Sequence, residues 1–245
     1  MSGSPADGRR QVAGDGPDVL VVVAHPDDEV LGFGGSAWVL AQRGLAVTAC
    51  ILCADADARA KRPAEAALRD DISRAAGVLG MSEPILGSFP NIRMNVVPHL
   101  DMVQFIEEAL RTTGAGHVVT HHVGDLNDDH RQVARAAHAA SRLSQRLDNH
   151  SSLRSLSAME VLSSTDWSFD ALAAPFRATG FMEIGVEGVA KKIEALECYR
   201  DVMRPYPHPR NADVVRALAV TRGAQAGMEH AEAFETLHVD MSRTW

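Results

Sequence analysis

The sequence predicts an α/β fold: a largely parallel sheet sandwiched between helices. Apolar, β-branched runs of strand length alternate with amphipathic helical stretches along the chain, which is the pattern of repeated βαβ units. The segments between them are short, and polar residues capable of catalysis gather just after strand ends, where parallel sheets place their sites.

The first strand is the run from Asp18 to Val23, and it drives straight into Ala24-His25-Pro26-Asp27-Asp28-Glu29. Three carboxylates beside a buried strand are too costly to desolvate unless a cation compensates them, and a divalent metal is the simplest compensator. A helix follows from Glu29 to Arg43, whose acidic start suits the positive end of a helix dipole. Gly32, Gly34 and Gly35 weaken it locally, and their missing Cβ atoms suit close approach to a strand or ligand. Gly44 closes that helix and Val47 to Cys53 forms the second strand. Ala64 to Gly80 reads as a second amphipathic helix with Arg69, Asp70, Asp71 and Arg74 turned outward. Glu83 to Ser88 is a short strand or turn, Leu100 to Arg111 a third helix, and His117 to His121 another strand. Val133 to Arg146 is helical, Ser157 to Ser164 and Phe181 to Ile184 are strand-like, and Gly188 to Tyr199 and Ala212 to Gly223 are helices.

With 245 residues, 46% of them hydrophobic, the chain can bury one sizeable core, so residues 18 to 245 are expected to form a single domain. Residues 1 to 17, rich in Gly, Ser, Pro, Asp and Arg, read as a mobile tail. A net charge of −8 without a cluster of Lys and Arg argues against nucleic acid or an anionic membrane surface as partner. No stretch is apolar enough for a membrane span or a secretory signal, so the expected compartment is the cytoplasm. Cys50 and Cys53 form a CxxC inside a strand-like run, where residues three apart face opposite sides, so both read as buried thiols. Cys198 has no evident partner.

His25 and Asp28, three apart across a proline-stiffened turn, can aim at one point beyond the strand. A third ligand must come from elsewhere, and the segment after the strand at 117 to 121 supplies candidates: His121, His122, Asp125, Asp128, Asp129 and His130. Imidazole and carboxylate together suit zinc, and three protein ligands with an open position are the catalytic arrangement. A neighbouring carboxylate that is not a ligand can take a proton from water, and Asp27 is available for that.

The run from Ala24 to Glu29 together with Asp125-Leu126-Asn127-Asp128-Asp129-His130-Arg131 resembles the PIG-L/LmbE-like zinc-dependent deacetylase family. Phe89 to Arg93, the helix Lys191 to Tyr199, Pro207 to Arg210, Arg222-Gly223 and Ala231 to Phe234 follow the same pattern in order, so the resemblance spans about residues 18 to 239. It implies a Rossmann-like fold and removal of an N-acetyl group from a small amino-sugar molecule. It also implies one zinc per chain, held by His25, Asp28 and His130, and Asp27 as general base. By the same resemblance the protein assembles as a trimer or hexamer. Many members carry a histidine where Asn127 stands. Asn127 can donate a hydrogen bond to an oxyanion but carries no proton to transfer, so His208, held extended between Pro207 and Pro209, is a candidate for the missing acid. Asp129 is placed to orient an imidazole, and Glu29 is either a first-turn helix acid or a partner of the metal site. Arg93 and Arg210 are candidates to grip sugar hydroxyls or a phosphate, and Glu232 to meet the substrate amine or a neighbouring subunit. The rival readings are an amidase for a larger acyl group and a non-catalytic metal-binding module. A nucleotide-cofactor enzyme fits less well, because the first strand ends in His-Pro-Asp-Asp instead of a glycine-rich turn.

Overall fold

The computed structural model describes residues 18–54, 65–142, 152–169 and 174–243. The expected tail at 1 to 17, the helix start at Ala64 and the helix end at Arg146 lie outside the described residues. Seven strands form one sheet: β1 (Val19–Val23), β2 (Val47–Ile51), β3 (Ile85–Leu86), β4 (His117–His121), β5 (Ser155–Met159), β6 (Gly180–Glu183) and β7 (Ala231–Val239), in the spatial order β3-β2-β1-β4-β5-β7-β6. The first five run parallel, β7 is antiparallel to β5, and β6 is antiparallel to β7.

β1 is apolar at every position because both of its faces are covered, as a central strand of a parallel sheet requires. Its alternation is visible in the packing. Val19, Val21 and Val23 enter a core shared with α1 (Asp28–Gln42), α2 (Glu65–Leu79), α5 (Gly185–Cys198) and α6 (Ala212–Ala226). Leu20, Val22 and Ala24 enter the opposite core, with α3 (His99–Thr113) and α4 (Asp128–Ala140).

From β1 the chain winds one way to β2 and β3, then returns to the other side of β1 for β4 and β5. The helices leaving β1 and β4 therefore go to opposite faces, and the carboxyl ends of these neighbouring strands open a crevice between them. His25 to Glu29 and Asp125 to His130 both lie there.

Several expectations need correction. α4 begins at Asp128 and not at Val133, because Asn127 caps it, its Oδ1 accepting from Asp129 N at 3.0 Å. The residues expected in a loop are thus a helix's first turn. Asp71 does not face outward: it is fully buried, paired with Arg74 at 2.5 Å and Arg200 at 3.4 Å, and so ties α2 to the end of α5. The strand expected at 157 to 164 ends at Met159, and β7 carries no clear strand signal in the sequence, since its outer half is exposed and polar. Gly35 lets α1 approach α5 closely: a Cβ there would lie 2.6 Å from Cδ1 of Ile184, whose β-branched side chain has little room to turn. Among the described residues no helix is long and apolar enough to cross a membrane.

Cys50 and Cys53 are both buried and free, but they share one core cluster instead of facing apart. β2 ends at Ile51, so strict alternation stops before Cys53. Burial pushes the Cys50 thiol up to about 12. The folded state therefore keeps a proton that the unfolded chain releases above its ordinary value near 9, so stability falls as pH rises from about 9 toward 12, by about 1.4 kcal/mol per pH unit. Urea titrations across that range should show the slope, and Cys50→Ala should flatten it. A thiol reagent at neutral pH should reach only Cys198 in the native protein.

Candidate metal centre

The segment after β1 is folded back on itself. Asp28 returns its Oδ2 to the backbone N–H of His25 at 3.0 Å, which closes the proline-stiffened turn. Asp27, just before α1, adopts φ 98°, a left-handed conformation that costs a non-glycine residue about 1–3 kcal/mol. Its backbone is held on both sides: the N–H donates to Glu29 Oε2 at 3.1 Å, and the carbonyl accepts from Val30 N at 3.2 Å and Leu31 N at 2.9 Å. Tyr199, at the end of α5, donates its hydroxyl to the other oxygen of Glu29. Glu29 is thus both a first-turn acid and a brace for Asp27, and burial raises its pKa to about 8.

From the other side, α4 brings in His130. Its Nε2 lies 3.1 Å from Asp28 Oδ2, and its Nδ1 lies 3.2 Å from Asp125 Oδ1. His25 is held in the same manner, with Nε2 3.0 Å from Asp129 Oδ2 and Nδ1 3.4 Å from Asp28 Oδ2. Each imidazole therefore turns one nitrogen to a carboxylate outside the cluster and the other toward Asp28. That is how protein metal sites fix tautomer and ring orientation. One ligand atom each from His25, Asp28 and His130 lie within 4.8 Å of one another, close enough to share one ion.

The orienting carboxylates are themselves anchored. Asp129 accepts from Ile92 N at 2.6 Å and Met94 N at 3.0 Å. Asp125 accepts from Asn127 N at 2.8 Å, from Thr165 Oγ1 at 2.8 Å and from the hydroxyl of Ser164. Asp125, one of the candidates for the third ligand, is buried at the centre of this network. Asp128, another candidate, is instead paired on the surface with Arg131. An Asp two residues before an Asn cap was a legible turn signal for Asp125. Ser164 and Thr165 gave none, since they come from a turn more than 30 residues away.

The electrostatics ask for a cation. Burial opposes charge on His130, but Asp28 and Asp125 outweigh it and raise its pKa to about 10. Burial likewise opposes charge on Asp28, and His130 overcomes it, holding the carboxyl well below its usual range. Asp125 is brought down to about 2 against its own burial, chiefly by its hydrogen bond to His130. His121 is different: burial drives it down to about 3. Its Nε2 accepts from Ala24 N at 2.9 Å and its ring stacks on His130 at 3.8 Å. His121, Asp125 and His130 also lie within 4.8 Å of one another; there Asp125 already accepts from two hydroxyls and His121 Nε2 from Ala24 N, while the buried Nδ1 of His121 has no hydrogen-bond partner among the described residues.

The remaining predicted residues are spread more widely. Arg210 reaches the crevice, Nη1 3.0 Å from Asp27 Oδ2. His208 stands beside it, with Nδ1 accepting from Arg210 N at 3.0 Å and its ring 5.6 Å from Trp167. Burial and then Arg210 lower its pKa. Asn127 caps α4. Arg93 is exposed on the turn whose backbone binds Asp129. Glu232 was expected to meet the substrate amine or a neighbouring subunit, but it is buried against α1. There it pairs with Lys192 at 2.7 Å and accepts from Gly35 N and Ser36 N at 3.0 and 2.8 Å. Both its oxygens are committed to holding β7, α5 and α1 together.

Residues 20–141 match the model of the PIG-L family, described as GlcNAc-PI de-N-acetylase. The chain carries a PIG-L family domain. A search of curated proteins finds no sequence match. Among solved structures, the conserved protein TT1542 of Thermus thermophilus is 22% identical with a TM-score of 0.74, covering 94% of this chain and 98% of its own. The 4-carboxy-2-hydroxymuconate hydratase GalB of Pseudomonas putida is 20% identical with a TM-score of 0.72, covering 92% and 98%. The N,N'-diacetylchitobiose deacetylase of Pyrococcus horikoshii is 18% identical with a TM-score of 0.71, covering 94% and 89%. These likenesses establish the PIG-L-type fold. They include a hydratase as well as a deacetylase, so the reaction has to be argued from the site.

Asp125→Asn and Asp129→Asn should each weaken zinc binding about 10–100-fold in calorimetric titrations. Both variants should keep the circular dichroism spectrum of the parent.

Proposed function

We propose that this chain is a zinc-dependent N-deacetylase acting on a small molecule that carries an N-acetylhexosamine. The observation that carries the reading is the convergence of His25, Asp28 and His130 beside Asp27, at the crevice of a PIG-L domain. Two imidazoles and one carboxylate form the donor set that zinc takes in catalytic sites, with a coordination position left over for chemistry. The buried, anionic character of Asp28 supports the same assignment. An ion held there supplies Lewis acidity to the acetamide carbonyl and to the attacking water.

The chain's own residues do the rest. Asp27 takes a proton from the attacking water and returns it to the departing amine, so that acetate and a free amino sugar leave. Asn127, whose amide oxygen caps α4, offers its NH2 group to the negative charge that develops on the carbonyl oxygen. His208 accepts the backbone N–H of Arg210 at Nδ1, which leaves Nε2 as a hydrogen-bond donor toward the substrate while Asp27 supplies the proton to the leaving nitrogen. Arg93, exposed beside the Asp129 turn, reaches for sugar hydroxyls. An amino-sugar substrate is supported by the diacetylchitobiose deacetylase among the structural neighbours.

Acetate release from a panel of N-acetylglucosamine compounds tests the reading. The wild type should be active, lose activity with a strong chelator and recover it with zinc. Asp27→Asn should lower kcat about 10²–10⁴-fold with its zinc content unchanged. Activity that survives complete metal removal would contradict the proposal.

A further inference from the structure

Asp27 is the residue whose aim the reaction depends on most, and its carboxylate is held by a side chain 183 positions further along the sequence. Arg210 Nη1 donates to Asp27 Oδ2 at 3.0 Å, while Arg210 Nε donates to Ser163 Oγ at 2.8 Å. The backbone of Arg210 is tied as well: its N–H donates to His208 Nδ1 at 3.0 Å and its carbonyl accepts from Arg204 N at 2.9 Å. Ser163, the other anchor, sits at φ 66° in the turn that follows β5. The same turn carries Ser164 and Thr165, which hold Asp125 and through it His130.

We infer that Arg210 is a positioning residue for Asp27, and not a grip for substrate. Nε and Nη1 are committed to Ser163 and Asp27 inside the crevice, so the orientation of the guanidinium is set by the protein, and only its remaining N–H groups could meet a substrate without breaking contacts already made. The fork geometry explains the choice of arginine: a planar guanidinium spans Asp27 and Ser163 at once, and an ammonium satisfies one or the other. The turn at 163 to 165 then serves both halves of the site. It aims the base through Arg210 and a metal-binding imidazole through Asp125.

This inference rests on the deacetylase reading, and two measurements keep the two separable. In steady-state kinetics of the zinc-loaded enzyme, Arg210→Met should lower kcat about 10²-fold, the scale of a misplaced catalytic group, with KM within about twofold of wild type. Arg210→Lys should recover part of that loss, and Ser163→Ala should lower kcat in the same direction by freeing the guanidinium. A raised KM, with or without a fall in kcat, marks a substrate grip and overturns the inference, as does an unchanged kcat. The second measurement needs no activity. In urea unfolding of wild type, Asp27→Asn, Arg210→Met and the double variant, the folding equilibrium constants should be coupled by at least about threefold. Additive effects would overturn the pairing even in a protein that releases no acetate. An inactive wild type with a coupled pair would overturn the deacetylase reading, and with it the catalytic purpose assigned to Arg210.

Discussion

Asp28 Oδ2 lies within 3.5 Å of imidazole nitrogens from His25, His121 and His130, and the residue is almost completely buried. A carboxylate so enclosed has lost its water and must be compensated by positive charge. Asp28, with Asp125, draws positive charge onto His130 and raises its pKa to about 10. A divalent ion would meet that demand better, because it can accept the lone pairs of both His25 and His130 while neutralising Asp28. The surrounding architecture reads as support for that one charge. Asp125 and Asp129 orient the imidazoles, the turn at 163 to 165 and the turn at 92 to 94 hold those carboxylates, and stacked His121 closes the floor.

The sheet makes this arrangement possible. Because β1 and β4 are neighbours whose helices depart to opposite faces, two segments about 100 residues apart in sequence end at the same place and face each other. Helix starts do the fine placement. Asp28 opens α1 and His130 lies in the first turn of α4, so each is fixed by a rigid element. The left-handed peptide at Asp27 is the strained point of the design. Glu29, braced by Tyr199, holds its backbone N–H, and Arg210 holds its carboxylate.

Much of this was legible in the sequence where the physics is local. The β-branched run ending in His25, the alternating strands and helices, and the pairing of the two acidic motifs all point to the crevice, and the strand at 117 to 121 has the bounds expected of it. What escaped has a common cause. Glu232 meets Lys192 40 positions away, Asp71 meets Arg200 129 positions away, and Tyr199 meets Glu29 170 positions away, so each looked like an ordinary surface or core residue in its own segment. Asp125 stood among the candidate ligands, but its role as the anchor of His130 depends on Ser164 and Thr165, which only the fold brings against it. β7 was missed because its exposed half carries Glu235, Thr236 and His238, which dilute the strand pattern.

The position of the ion is the most direct test of this account. Crystals of the zinc-loaded protein, measured on both sides of the zinc absorption edge, should show a single anomalous peak per chain within bonding distance of His25, Asp28 and His130, with Asp27 adjacent but not coordinating. A peak on His121 and Asp125 instead, or one in which Asp27 is a ligand, would contradict the division of labour between the metal-binding trio and the base.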